Sequence, residues 1–184
     1  RTRAGDGVSG DYRPYTLVAE LTYRCPLRCP YCSNPLEWAR QRNELDTATW
    51  LRVLREAEDL GVVQVNLTGG EPLLRDDLEQ LIEGARKLDL YTNLITSAVP
   101  LTRGRLERFR ALGLDNVQIS VQDVTAAASD RIAGLASFEK KLEAGRWVKE
   151  IGMPLTLNIV LHRDNLDHVG EMIALAERMS VDRL

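Results

Sequence analysis

Gly61-Val-Val-Gln-Val-Asn-Leu-Thr-Gly-Gly-Glu-Pro72 is the stretch that decides the fold. An amphipathic run ends at its first glycine, a β-rich segment follows at once, and Gly-Gly-Glu-Pro closes it. Inside the segment Val63, Val65 and Leu67 alternate with Gln64, Asn66 and Thr68, the period of a strand with two unlike faces. The same junction recurs at Leu88-Asp89, Leu112-Gly113 and Ile151-Gly152. Glycine just past a helix is the left-handed cap signal, and aspartate tolerates that conformation at the one exception. Trp50, Val53, Leu54, Ala57 and Leu60 repeat at helical spacing, as do Leu78, Leu81, Ile82, Ala85 and Leu88. Further helices are expected near 102–112, 138–151 and 165–179, and Asp76 with Glu79 reads as a capping pair.

Strands are expected near 16–21, 62–67, 91–96, 117–121 and 155–161. Strands alternating with helices give a parallel sheet. A parallel strand covered on both sides should be apolar on both faces, and these are not. Val117, Ile119 and Val121 alternate with Gln118, Ser120 and Gln122; Leu155, Leu157, Ile159 and Leu161 alternate with Thr156, Asn158 and His162. The polar face either satisfies itself inside a core or looks into something wet or occupied. The second account predicts an α/β chain folded as a partial (β/α) TIM-like barrel of about five to six parallel strands. Its site then lies at the C-terminal strand ends.

At 184 residues and 44% apolar content the chain can bury one core. Residues 1–14 read as a flexible leader or linker and residues 15–184 as the partial barrel. Ser180-Val-Asp-Arg-Leu184 reads as the turn into one more strand. A net charge of −3 with no basic stripe points away from nucleic acid. No apolar stretch reaches spanning length and no signal peptide opens the chain, so no membrane association and a cytoplasmic location are expected.

All three cysteines fall within eight residues: Cys25, Cys29 and Cys32, in Arg24-Cys-Pro-Leu-Arg-Cys-Pro-Tyr-Cys-Ser-Asn-Pro35. An odd count cannot pair fully into disulfides. A structural zinc site wants four ligands, and the two histidines, His162 and His168, are distant in sequence. Three thiolates on one loop can instead hold three irons of a [4Fe–4S] cube and leave the fourth open for chemistry.

A Cys-x3-Cys-x2-Cys loop after a first strand, with Tyr31 before its last cysteine, resembles the radical S-adenosylmethionine (SAM) superfamily. Thr68-Gly69-Gly70-Glu71-Pro72, at the end of the second strand, resembles that family's GGEP segment. The resemblance implies a partial radical SAM barrel in which Cys25, Cys29 and Cys32 are the metal ligands and catalytic centre. It implies that S-adenosyl-L-methionine chelates the free iron and is cleaved to a 5′-deoxyadenosyl radical. Gly69 and Gly70 would let backbone approach the cofactor. Glu71 would accept from its ammonium, and Tyr31 would lie near the adenine. Thr96, Ser120, Gln122 and Asn158 hold inward positions near strand ends; by analogy Ser120 meets the ribose and Thr96 the methionyl end.

Glu20–Pro35, Leu90–Ser97 and Val117–Gln122 resemble more narrowly the peptide cyclases of pyrroloquinoline quinone biosynthesis. That branch implies a Glu–Tyr carbon–carbon crosslink in the peptide PqqA, a carrier PqqD and an electron donor such as flavodoxin. It also implies auxiliary Fe–S clusters in a C-terminal SPASM region, none of whose cysteines occurs in these 184 residues, so the barrel is expected to stop before that region. Asp123 stands where the pattern leads one to expect glycine. Two alternatives remain: another SPASM-type radical SAM enzyme acting on a different peptide or a haem precursor, and a non-catalytic iron–sulfur scaffold or sensor. Three residue groups fall outside the expected chemistry: His162, taken as structural; His168, taken as surface; and the charged positions 75–77 and 103–110, taken as solvated helix faces.

Overall fold

Five strands run parallel and pair in chain order in the computed structural model, which describes residues 13–34, 37 and 43–184. They are β1 (Thr16–Glu20), β2 (Gln64–Thr68), β3 (Tyr91–Thr96), β4 (Asn116–Ser120) and β5 (Leu155–Asn158). Between and after them lie α1 (Thr47–Asp59), α2 (Leu78–Lys87), α3 (Arg103–Leu112), α4 (Ala126–Ala133), α5 (Phe138–Glu150) and α6 (Val169–Arg178). Most of the 1–14 leader expected from sequence lies outside the described residues.

The helix-to-strand junctions carry this regularity. Gly61, Asp89, Gly113 and Gly152 all adopt positive φ, from 54° at Asp89 to 99° at Gly113, so each helix turns directly into its strand. The outer faces of β2, β3, β4 and β5 (Val65, Leu67, Leu94, Val117, Ile119, Leu155) are fully buried against Leu54, Leu81, Ile82, Ala85, Leu106, Phe109 and Val148. Each such side chain contributes roughly 1.5–3 kcal/mol relative to exposure in water. Helices α1 with α2, α2 with α3 and α3 with α5 also touch one another.

The inner face is layered. In its lower layer the register aligns Asn66 with Asn93 and Asn93 with Asn116, and these amides satisfy one another. Asn93 Nδ2 donates to Asn66 Oδ1 at 2.9 Å, and Asn116 Nδ2 donates to Asn93 Oδ1 at 2.7 Å. One level up, Thr68, Ser120 and Asn158 border open space instead. Both accounts of the polar face hold, one in each layer.

Several expectations are corrected. Strand β5 ends at Asn158, not 161, because the chain turns into a loop that Asn165 pins: its Nδ2 donates to Gln122 O and Val160 O. Leu60 is the exposed cap of α1 rather than part of its buried stripe. Asp76 and Glu79 do not form a capping pair. Asp77 stands at the start of α2 without capping it, and Glu79 binds Arg105. Helix α4 was not expected at all; it has eight residues and only a short buried edge at Ser129, Ile132 and Ala133. Residues 182–183 do begin a further pairing: Leu157 N donates to Arg183 O at 2.9 Å, in a parallel bridge beside Thr156.

Candidate functional site

The site is built where the ends of β1 and β2 meet. Gly70 N donates to Thr22 O at 2.6 Å and Glu71 N to Arg24 O at 2.7 Å, fastening the lead-in to Cys25 onto the Gly-Gly turn. Gly69 has a φ of 129°, and a Cβ there would meet Thr22 O at 2.5 Å; one on Gly70 would strike the Arg24 carbonyl. The two glycines are therefore required first for backbone against backbone. They also line the cleft described below.

Charged residues expected to be solvated complete this joint. Arg75 is 7% exposed. Its guanidinium donates to Leu21 O (2.8 Å), to Leu45 O (3.1 Å) and to both carboxylate oxygens of Asp77. Arg105 donates to Leu73 O, Arg75 O and Glu79. Thr22 Oγ1 donates to Glu44, and Arg24 to Leu74 O. A planar fork of donors suits such bidentate and carbonyl contacts. Two of the charged positions read as solvated faces thus hold the cysteine loop in place.

Cys25 and Cys29 are half-buried and Cys32 is exposed, all three as free thiols. Arg28 N donates to Ala133 O at 2.8 Å, so the loop rests on the end of α4. Burial pushes the Cys25 thiol up to about 11 and raises that of Cys29, partly offset at Cys29 by the Lys141 charge. Burial likewise pushes the Tyr31 hydroxyl up to about 12. An apolar, partly closed setting thus disfavours bare thiolates, and a metal supplies the positive charge that stabilises them.

Cys25, Cys29, Cys32 and Tyr31 line one cleft together with Gly69, Gly70, Thr96, Ser120, Gln122 and Asn158. Ten of the eleven site residues expected from sequence therefore share one cavity. Glu71 is the exception. It is fully buried beneath the cleft, and its carboxylate already accepts from Leu73 N, Thr96 Oγ1, Ser97 N and Ser97 Oγ. Burial raises its carboxyl against these four donors. Its observed work is to tie the β2 turn to the end of β3, not to face a ligand, and Thr96 spends its hydroxyl on that tie.

Three features were missed in the sequence. Ser97 lines the cleft beside Thr96. Lys141 of α5 is fully buried and donates to Gln122 Oε1, with no carboxylate at ion-pair distance among the described residues; burial holds its ammonium down at about 8. Its signal was a lysine on the stripe Phe138, Lys141, Ala144, Val148. His168 is not simply surface, because its Nδ1 lies 2.9 Å from the buried carboxylate of Asp123.

Among the described residues no three His, Cys, Asp or Glu side chains close on a common point as a metal group does. The donor set nevertheless fits a cluster: three sulfur ligands from one short loop, facing one cleft, with a buried cation behind Gln122. No helix among the described residues is long and apolar enough to cross a membrane.

The family model for the Radical SAM superfamily matches residues 19–176. The chain is 52% identical over 172 residues to the PqqA peptide cyclase of Gluconobacter oxydans, covering 93% of this chain and 48% of that protein. It is 50% identical over 171 residues to that of Streptomyces rochei, covering 93% and 47%. The chain thus spans about half the length of the curated relatives it matches. Streptococcus suis SuiB bound to S-adenosylmethionine superposes with a TM-score of 0.80 at 22% identity, over 93% of this chain and 38% of that one. SuiB bound to its precursor peptide SuiA gives 0.81, also at 22% identity and over the same shares of the two chains. These structures share the fold of five parallel strands alternating with helices. From the loop of three cysteines, the turn that seats it and the match over 19–176, the chain belongs to the radical SAM superfamily.

Proposed function

We propose that the cleft binds a [4Fe–4S] cluster through Cys25, Cys29 and Cys32, and S-adenosyl-L-methionine beside it, as the core of a peptide-crosslinking enzyme. When bound, the pair supplies a 5′-deoxyadenosyl radical. The observation that carries the reading is the convergence of three free thiols and the polar strand ends on one cavity.

The chain's own residues bind, orient and exclude water. Gly69, Gly70 and the Arg75 network fix the loop of thiols. Ser120 and Asn158 offer hydroxyl and amide groups to the cofactor from neighbouring strand ends, which the register aligns. Gln122 is oriented by Lys141, whose buried ammonium suits an anionic group such as a carboxylate. Leu27, Ile95 and Val160 form the apolar part of the wall, which keeps competing hydrogen donors away from a radical.

The substrate reading rests on about 50% identity to PqqA peptide cyclases. The reaction proposed is a carbon–carbon bond between a glutamate and a tyrosine of PqqA, presented by the carrier PqqD, in pyrroloquinoline quinone biosynthesis. Flavodoxin or a similar carrier supplies electrons, and auxiliary Fe–S clusters belong to the additional length of the relatives. Incubating the anaerobically reconstituted protein with PqqA, PqqD, a reductant and S-adenosylmethionine should yield a peptide lighter by two hydrogens by mass spectrometry. Release of 5′-deoxyadenosine with no change in peptide mass would rule out the substrate and leave the radical chemistry standing.

A further inference from the structure

Behind the cysteine loop a buried cation heads a series of hydrogen bonds that ends on one of the three thiols. Lys141 is fully buried on α5, and its Nζ donates to Gln122 Oε1. Its ammonium, held at about 8, is still charged at neutral pH. Asp130, whose charge it also feels, already accepts from Ser137 N and Phe138 N at 2.8 Å each. Gln122 is itself buried, and the Tyr31 hydroxyl hydrogen-bonds both Gln122 and the Cys29 thiol. Gln122, Tyr31 and Cys29 all line the cleft.

The direction of each bond follows from what each group can donate. Lysine has donors only, so Gln122 turns its amide oxygen to Lys141 and its NH₂ to the Tyr31 oxygen. A phenol has a single hydrogen, and with its oxygen occupied that hydrogen goes to the sulfur of Cys29. The four groups form one head-to-tail series, from the Lys141 ammonium through Gln122 and Tyr31 to Cys29. Hydrogen bonds in such a series polarise one another, most strongly where water is excluded. The other two thiols are placed differently: Cys25 accepts the Leu27 N–H of its own loop, and Cys32 is exposed.

A donor on a ligating sulfur and a nearby positive charge both favour the reduced, more negative state of an iron–sulfur cluster. We propose that Lys141, Gln122 and Tyr31 act as one unit on Cys29 and raise the reduction potential of the cluster bound there. They tune and position the ligand and are not ligands themselves. The assignment rests on the cleft holding the [4Fe–4S] cluster. The step it concerns is the entry of one electron from an external reductant, with no proton moved along the series and no bond in it broken.

The test is an EPR-monitored redox titration of the anaerobically reconstituted protein, without S-adenosylmethionine and at neutral pH. It compares Tyr31→Phe, which keeps the ring and loses the hydrogen, with Lys141→Met and with the double variant. Each single variant should lower the midpoint by about 59 mV, a tenfold fall in the ratio of reduced to oxidised cluster at a fixed potential. Iron per chain should be unchanged. The double variant should fall by less than the sum of the two, because both changes interrupt the same series. Lys140→Met removes the same charge from an exposed neighbouring position and should leave the midpoint in place, since solvent and salt screen it. Tyr31→Phe at the unaltered potential, a double variant equal to the sum, or an equal fall in Lys140→Met overturns the inference. If Tyr31→Phe does not retain iron, Gln122→Met cuts the series at its next link and is read in the same way. Failure of the unaltered protein to assemble a cluster gives no potential to read and removes the underlying site instead, and the inference with it.

A second readout is the hydrogen itself. One exchangeable proton coupled to the reduced cluster in ENDOR spectra of the unaltered protein should be missing in Tyr31→Phe; identical spectra contradict the proposal.

Discussion

At the residue scale, the least legible group is the most informative. Lys141 follows Lys140 in a charged run, and nothing in composition distinguishes the two; only its place on the α5 stripe does. Burial lowers its ammonium to about 8 from an ordinary 10.5. The unfolded chain therefore binds more protons than the folded one between those values, and stability must rise with pH across that window. Relative to Lys141→Met, the unaltered protein should gain on the order of 1–3 kcal/mol on going from about pH 7 to about pH 10, read by urea denaturation. Parallel pH profiles would show that the ammonium is not desolvated. The glycines of the turn were legible as glycines that matter, but for another neighbour. They admit the Thr22 and Arg24 carbonyls as well as any ligand. Gly70→Ala should cost about 3 kcal/mol or more in thermal unfolding. Gly104→Ala, in α3 with nothing within 4 Å, should be neutral or stabilise by up to about 1 kcal/mol. Equal effects at the two positions would sink the packing argument.

At the element scale, the strong periodicities were readable and the local ties were not. The stripes of α1 and α2 and the four cap junctions stand almost as the pattern implied, since apolar spacing and left-handed caps are properties of short windows. The short helix α4 left no such trace. The loop after β5 was misread as strand because Ile159 and Leu161 continue the alternation; the Asn165 bonds that end it cross to Gln122, 43 positions away. Arg75 shows the same limit, as its partners Leu21 and Leu45 are 54 and 30 positions distant. Arg75→Lys keeps the charge and loses the fork, so it should destabilise the fold by about 1–3 kcal/mol. It should also lower the iron retained per chain after reconstitution, measured by iron and sulfide assay. Full iron retention with normal stability would mean that the joint between β1 and β2 does not position the thiols.

At the scale of the whole molecule, one argument from sequence proved sufficient for the fold: a parallel sheet with a polar face needs something on that face. The lower layer supplies it with interlocked asparagines, and the upper layer leaves it open as the cleft. Ten of eleven expected residues reach that cleft: Ser120, Gln122 and Asn158 by inward parity, the cysteine loop and the two glycines by lying at strand ends. Thr96, expected inward, instead shares the outward parity of Leu94 and Ile119 and reaches the cleft only because it ends β3. Glu71 does not, because whether a carboxylate faces a ligand or four internal donors depends on β3, which the local motif does not contain. The central claim is that this cleft holds a cluster with one iron open to S-adenosylmethionine. It is tested most directly by low-temperature EPR of the anaerobically reconstituted, dithionite-reduced protein, with and without that cofactor. The account predicts a [4Fe–4S]⁺ signal that changes when the cofactor is added and is lost in Cys29→Ala. A cluster signal indifferent to S-adenosylmethionine would contradict it and point to a site closed by a fourth protein ligand.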